Sequence, residues 1–272
     1  MKLETVFRTK KPLIGVVHLE PLPGSPDYRG RMDHVQRRAQ EDTDRLVEAG
    51  FDGVIVENYG DAPFFKDAVP ALTVASMTAV IERIRSRHDI PFGVNVLRND
   101  AASALSIAAA TGAQFVRVNV HVGAALTDQG TIEGRAAETL RLRAAIAPLV
   151  SIFADFRVKH AAPLVERPWD EELADLAERG RADAVLFTGG RTGAPPDVDL
   201  LAHARRLLGR LPIFVASGAT IQNAPSFLEH ADGLIVGSAL EKGGKAGRPV
   251  DPSRARSFVE SIRGAEPRGG RS

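Results

Sequence analysis

Cysteine is absent from the 272 residues. That absence excludes disulfides, thiolate metal sites and a cysteine nucleophile. Excess charge is missing too: 35 Lys and Arg against 34 Asp and Glu leave a formal net charge of +1. Such a balance gives no reason to expect nucleic acid or an anionic membrane as partner. No apolar run reaches the roughly 18 residues of a membrane span, and Met1-Lys-Leu-Glu-Thr lacks the pattern of a secretion signal. The chain therefore reads as cytoplasmic, with no membrane insertion. There is no His/Cys cluster, no Walker sequence and no G-x-S-x-G, so zinc, P-loop and serine-hydrolase chemistry find no support. Internal repeats and low-complexity tracts are absent as well.

What is present is alternation. Short apolar runs occur at Leu13–Leu19, Gly53–Glu57, Phe92–Leu97, Phe115–Val120, Val150–Phe156, Ala184–Thr188, Pro212–Ala216 and Gly233–Gly237, eight in all. Helix-length segments with one apolar face lie between them, as at Val74, Met77, Ile81 and Ile84, at Leu200, Leu201, Ala204, Leu207 and Leu208, and at Ala255, Phe258, Val259 and Ile262. Strand–helix alternation requires parallel strands with crossover helices. Eight strands in a chain close to the roughly 250 residues of such folds specify a single (β/α)₈ TIM barrel, expected over residues 1–264. The competing open, doubly wound sheet would carry G-x-G-x-x-G after its first strand, and none follows Leu19. Residues 265–272 have little to bury and are expected to be a disordered tail. Glu20–Tyr28 is rich in Pro and Gly and reads as a loop over the mouth, and Gly123–Gly134 as a long loop after the fourth run.

The last two runs each stop at a small-residue turn, Ser217-Gly218 and Gly237-Ser238. In a barrel, the loops after the seventh and eighth strands close on phosphate through backbone N–H groups, and residues without bulk permit that approach. Phosphate binding is therefore assigned to Ser217, Gly218, Gly237 and Ser238.

Side-chain alternation sorts the other candidates. In the fourth run Val116, Val118 and Val120 suit the helix-covered exterior, which turns Arg117, Asn119 and His121 inward. In the third run Gly93 and Asn95 face in. Asn95 and Asn119 are expensive to bury unless something uses their hydrogen bonds, either a ligand or a water-filled network. Arg117 needs a carboxylate, with Asp155 and Glu57 as candidates, in a structural pair or a substrate clamp. Glu57, Asp155 and His18 stand at or near strand ends, and Lys159 and His160 follow the fifth run. A carboxylate beside a lysine or histidine supports proton transfer or holds a divalent ion, and a desolvated lysine supports a Schiff base. The bland alternative places Lys159 and His160 on a solvated loop. Asp128, in Thr127-Asp-Gln-Gly130, belongs to a loop that closes over a ligand or caps the next helix. Asp61 invites the same two readings, and Lys242 either adds charge to the phosphate pocket or lies on the surface of the Gly243-Gly244 loop.

Taken together, the motifs resemble the BtpA family, known as photosystem I biogenesis proteins or SgcQ-like proteins. The resemblance rests on Pro12-Leu-Ile-Gly-Val-Val-His-Leu-Glu-Pro-Leu-Pro-Gly-Ser-Pro26, Gly53-Val-Ile-Val-Glu-Asn58, Gly93-Val-Asn95, Val116-Arg-Val-Asn119, Thr127-Asp-Gln-Gly130 with Glu133-Gly134, Ala154-Asp155 with Val158-Lys-His160, and the two closing turns. It implies a TIM barrel. It also implies either association with photosystem I accumulation or a place beside sugar-uptake and sugar-metabolism genes, without fixing a reaction.

The expectation is an enzyme acting on a small phosphorylated, sugar- or nucleoside-derived compound by aldol-type, isomerase or glycosidic-bond chemistry. Asp155, Lys159, His160 and Glu57 are its catalytic candidates, and Asn95, Arg117, Asn119, His121, Asp128 and His18 its substrate contacts. No motif fixes a cofactor, and a divalent metal held by Glu57 or Asp155 stays open as an expectation. The alternative is a non-catalytic assembly factor acting through partner contacts. Barrels of this size often assemble, so a homo-oligomer is expected.

Overall fold

The computed structural model describes residues 3–189 and 195–264. The tail expected at 265–272 lies outside the described residues. Each of the eight apolar runs contains a strand. They are β1 (Leu13–His18), β2 (Gly53–Glu57), β3 (Phe92–Asn95) and β4 (Phe115–Val118), then β7 (Ser151–Phe156), β9 (Ala184–Phe187), β10 (Ile213–Val215) and β11 (Gly233–Val236). All pair in parallel and close into a barrel of order β1-β11-β10-β9-β7-β4-β3-β2. Being covered on both faces, these strands read as near-continuous apolar runs rather than strict alternations.

Helices cover the outside with the faces the periodicity marked. In the helix Ala71–Arg85, Met77, Ile81 and Ile84 are buried, as are Leu201 and Ala204 in the helix Val198–Leu208 and Ala255, Phe258 and Val259 in the helix Pro252–Arg263. Leu207 departs from its expected place and stays 43% exposed, because it lies at the edge of its helix's apolar stripe.

Two layers of inward residues fill the barrel. The lower is aromatic: Phe115 stacks on Phe153 at 4.6 Å and Phe153 meets Phe214 at 5.1 Å. Gly93 is the close-approach position of this layer, since a Cβ there would lie 2.2 Å from the Phe115 ring. A short helix, α1 (Leu3–Phe7), which the sequence pattern did not mark, closes the bottom by setting Phe7 5.6 Å from Phe115 and 6.4 Å from Phe214.

The bottom rim repeats one device. The polar residue just before every second strand accepts from an N–H at the start of the preceding barrel strand. Asp52 takes Leu13 N at 2.8 Å, Gln114 takes Phe92 N at 2.9 Å, Asp183 takes Ile152 N at 2.8 Å and Asp232 takes Ile213 N at 2.8 Å. Arg263, Arg143 and Arg205 neutralise the three aspartates. Backbone donors at a strand start must be satisfied by something, and here a side chain does so four times.

The segment expected as one long loop after β4 is instead part of a sheet. β5 (Ala124–Thr127) and β6 (Gly130–Glu133) form a hairpin, and β8 (Ala161–Pro163) pairs with the outer edge of β5, all antiparallel. Ile132, Val120 and Val158 are buried beneath it, with Ala125 and Ala161 packed on them. The Asp128-Gln129 tip hangs over the mouth. The Pro-rich loop after β1 is tied down across the top: Leu22 N donates to Asp61 Oδ1 at 2.8 Å, and Gly60 N to Leu19 O at 2.9 Å.

Candidate active site at the barrel mouth

Above the aromatic layer the inward positions turn polar. Two residues beyond Val16, Ile55, Gly93, Phe115 and Phe153 come His18, Glu57, Asn95, Arg117 and Asp155, all at the upper ends of their strands. Strand register sets them side by side: Glu57 is opposite Asn95, and the β4–β7 register brings Asn119 level with Asp155.

Arg117 is 4% exposed and joins both carboxylates. Its Nη1 donates to Glu57 Oε1 at 3.1 Å, its Nη2 to Asp155 Oδ2 at 3.1 Å, and its Nε to Asp155 Oδ1 at 3.2 Å. Burial raises the Glu57 pKa, but the charges of Arg117, His18 and Lys159 outweigh it and hold the carboxyl below its usual range. Burial alone would lower the pKa of Arg117, and the charges of Asp155 and Glu57 reverse that and raise it. The strand 4 register expected from alternation thus holds through Asn119, whose Nδ2 donates to Asp155 Oδ2 at 2.6 Å. Asn95 Nδ2 reaches Glu57 Oε1 at 3.4 Å.

His121 does not follow. The strand ends at Val118, and by His121, three residues beyond it, side-chain alternation no longer sets direction. His121 turns from the mouth, its Nε2 2.8 Å from Gly180 O, and burial lowers its pKa. The structure leaves it out of the cluster.

Lys159 stands between two cavities. A narrow one is bounded by Ser217, Gly218, Gly237 and Ser238 together with His18, Glu57, Arg117 and Lys159. The wider one, of about 510 Å³, includes Asn95, Arg98, Arg117, Asn119, Asp128, Lys159 and His160 in its lining, with Tyr59 and Phe64 as its aromatic wall. Among the described residues no carboxylate lies within ion-pair distance of the Lys159 amine. Burial, then the neighbouring Arg117 charge, lower its pKa, only partly offset by Glu57 and Asp155. The turn that carries it is strained: Arg157 and His160, on either side, have φ of +50° and +58°. His160 is exposed at the cavity rim, where burial and the Lys159 charge lower its pKa. Asp128 is exposed at the hairpin tip and lines the same cavity. Lys242 is exposed on the surface, outside both linings, and Asp61 is the loop tie.

Three residues here were not among the sequence candidates. Glu241 is 1% exposed and its Oε1 lies 2.7 Å from His18 Nδ1. This fixes the imidazole with its Nε2 towards Glu57 Oε2, at 3.9 Å. Arg98 is 5% exposed and donates to the carbonyl of Lys159 at 2.6 Å, bracing the strained turn. Tyr59 packs its ring on His18 at 4.5 Å. The His18 ring also occupies the space beside Gly237, where a Cβ would lie 2.9 Å from its Cε1. Gly237 is therefore small for His18 before any ligand is considered. Among the described residues no group of three or more His, Asp or Glu side chains is set to hold a metal ion.

Comparison with known proteins agrees with the barrel. (S)-3-O-geranylgeranylglyceryl phosphate synthase from Thermoplasma acidophilum, solved with sn-glycerol-1-phosphate, superposes with a TM-score of 0.60 at 15% identity, covering 96% of each chain. N-(5'-phosphoribosyl)anthranilate isomerase from Pyrococcus furiosus gives 0.53 at 15% identity, covering 93% of this chain and 98% of that one. At such identities the likeness is one of fold. No described helix is long and apolar enough to cross a membrane. In sequence, the photosystem I biogenesis protein BtpA of Synechocystis sp. is 43% identical over 262 residues, 96% of this chain and 91% of that protein. The profile of the BtpA family matches residues 9–264, and with Glu57, Asn95, Arg117, Asn119 and Lys159 all inside that span, the chain belongs to the BtpA family.

Proposed function

We propose that this chain is an enzyme acting on a small phosphorylated compound, sugar- or nucleoside-derived, with its phosphate at the two closing turns and its reacting carbon beside Lys159. The observation that carries the reading is the position of Lys159. An amine with lowered proton affinity and no ion-pair partner among the described residues lines both cavities at once. Desolvation of this kind is how a lysine becomes a nucleophile or a general base near neutral pH. Asp155 and Glu57 are engaged by Arg117, so their part is to hold charge and orient their neighbours. Aldol-type or isomerase chemistry, through proton transfer or a Schiff base next to a carbonyl, suits this arrangement best. The fold-level neighbours point the same way, since one was solved with sn-glycerol-1-phosphate and another is named for a phosphoribosyl substrate.

The assembly-factor reading draws on the name of the Synechocystis relative and on two exposed apolar side chains, Leu126 on β5 and Leu164 just after β8, both 52% exposed. A scaffold, however, has no use for polar groups converging on an open mouth. A thermal-shift screen of sugar phosphates and nucleotides separates the two, because a specific ligand stabilises the folded state by mass action. The enzyme reading expects a saturable rise in melting temperature that Lys159→Met leaves in place while abolishing covalent trapping by borohydride. A flat response across the screen would count against it.

A further inference from the structure

The two amides at the mouth specify the chemistry of what they bind. Asn95 and Asn119 are 1% and 3% exposed, and both line the wide cavity. Each turns its NH₂ towards a carboxylate, Asn95 to Glu57 at 3.4 Å and Asn119 to Asp155 at 2.6 Å. Both carboxylates face the Arg117 guanidinium, and Glu57 is held in its ionised form by that charge. An ionised carboxylate only accepts, so neither amide can be turned over without setting oxygen against oxygen. The orientation is thereby fixed. The atom left over in each case is Oδ1, and neither Oδ1 meets a donor among the described residues. Buried acceptors without donors are uncommon in folded proteins, and two on neighbouring strands mark a place built for donors brought from outside.

From this we infer that Asn95 and Asn119 form a hydroxyl-recognition subsite, and that the ligand is a polyol phosphate whose hydroxyls donate to the two Oδ1 atoms. The inference rests on the proposed phosphate reading for the other end of the ligand and goes beyond it at this end. A ligand carbonyl, carboxylate or second phosphate leaves both Oδ1 atoms unpaired, because each offers only acceptors to these two acceptors. Lys159, which lines the same cavity, is then left to face the oxygen of the reacting carbon. A site built to bond a hydroxyl discriminates strongly against the analogue that lacks it, because the buried acceptor then stays unpaired.

Racemic glycerol 3-phosphate and n-propyl phosphate make a matched test, equal in chain length and phosphate and differing only in hydroxyls. Binding of both to the full chain is measured by calorimetry, with D-ribose 5-phosphate as a larger polyol. The expected result is that the polyol phosphates bind at least about ten-fold tighter than propyl phosphate, since each unpaired acceptor forfeits a buried hydrogen bond. The advantage should be lost in Asn95→Leu and in Asn119→Leu. The wild-type comparison decides the matter even if a variant fails to fold. Equal affinity of propyl and polyol phosphates overturns the subsite and leaves the phosphate reading intact. Stabilisation by free glycerol or ribitol with none from any phosphate overturns the phosphate reading and keeps the subsite. No binding by either class overturns both.

Discussion

Arg117 balances the charge at the mouth, and its removal should show what that balance is worth. Arg117→Met leaves Glu57 and Asp155 buried without the guanidinium that bridges them, and breaking a buried pair typically costs about 3–5 kcal/mol. Chemical denaturation should register that loss, together with a weaker dependence on acid than the unaltered chain shows. The sign follows from the Glu57 pKa, which lies below its ordinary 4.5 in the folded chain. Its contribution is present above the unfolded value and is lost as pH falls through the folded one, so Arg117→Met should show little of this acid limb. Lys159 gives a slope of the same sign at higher pH. Its folded pKa is below the ordinary 10.5, so the unfolded chain binds more protons between the two values and stability rises with pH across that window. Amine acylation followed against pH should give Lys159 a midpoint below 10.5, and a midpoint at or above it would remove the basis for a nucleophilic role. These inward residues were readable because alternation holds along a strand and for one residue past the end of β4. It gave Asn95, Arg117 and Asn119 their direction and misled at His121, three residues past the end of β4. Glu241 carried no such signal. Its place beside His18 depends on a loop that returns to pair with Val250, and no local pattern encodes that return.

At the scale of elements, the barrel strands and the covering helices were legible because burial on both sides leaves long apolar runs and helical stripes. The β5–β6–β8 sheet was not. Its strands are three or four residues long and half exposed, so neither period has room to appear. The bottom-rim clamps were hidden for a different reason: an Asp before a strand reads as ordinary turn chemistry until its partner strand is known. These clamps also separate stability from function. Asp232→Ala leaves the Ile213 N–H without its acceptor and Arg205 without its carboxylate. The expected cost is about 1–3 kcal/mol, visible as a lower melting temperature. Ligand affinity at the mouth, on the opposite rim, should not change. A matching loss of affinity would mean that the two ends of the barrel are coupled.

For the whole molecule, the division is between a plugged, aromatic lower half and a polar upper half that converges on Lys159. Fold-level likeness leaves the reaction open, because barrels of this kind host many. The placement of ligand groups in the mouth is what the account stakes most on. The direct measurement is a crystal structure of the chain soaked with racemic glycerol 3-phosphate. The account predicts phosphate density between Ser217-Gly218 and Gly237-Ser238, with the carbon chain running past Lys159 and its hydroxyls on Asn95 and Asn119. Phosphate density confined to the outer surface, or a bound chain pointing away from Lys159 and the two amides, would contradict it.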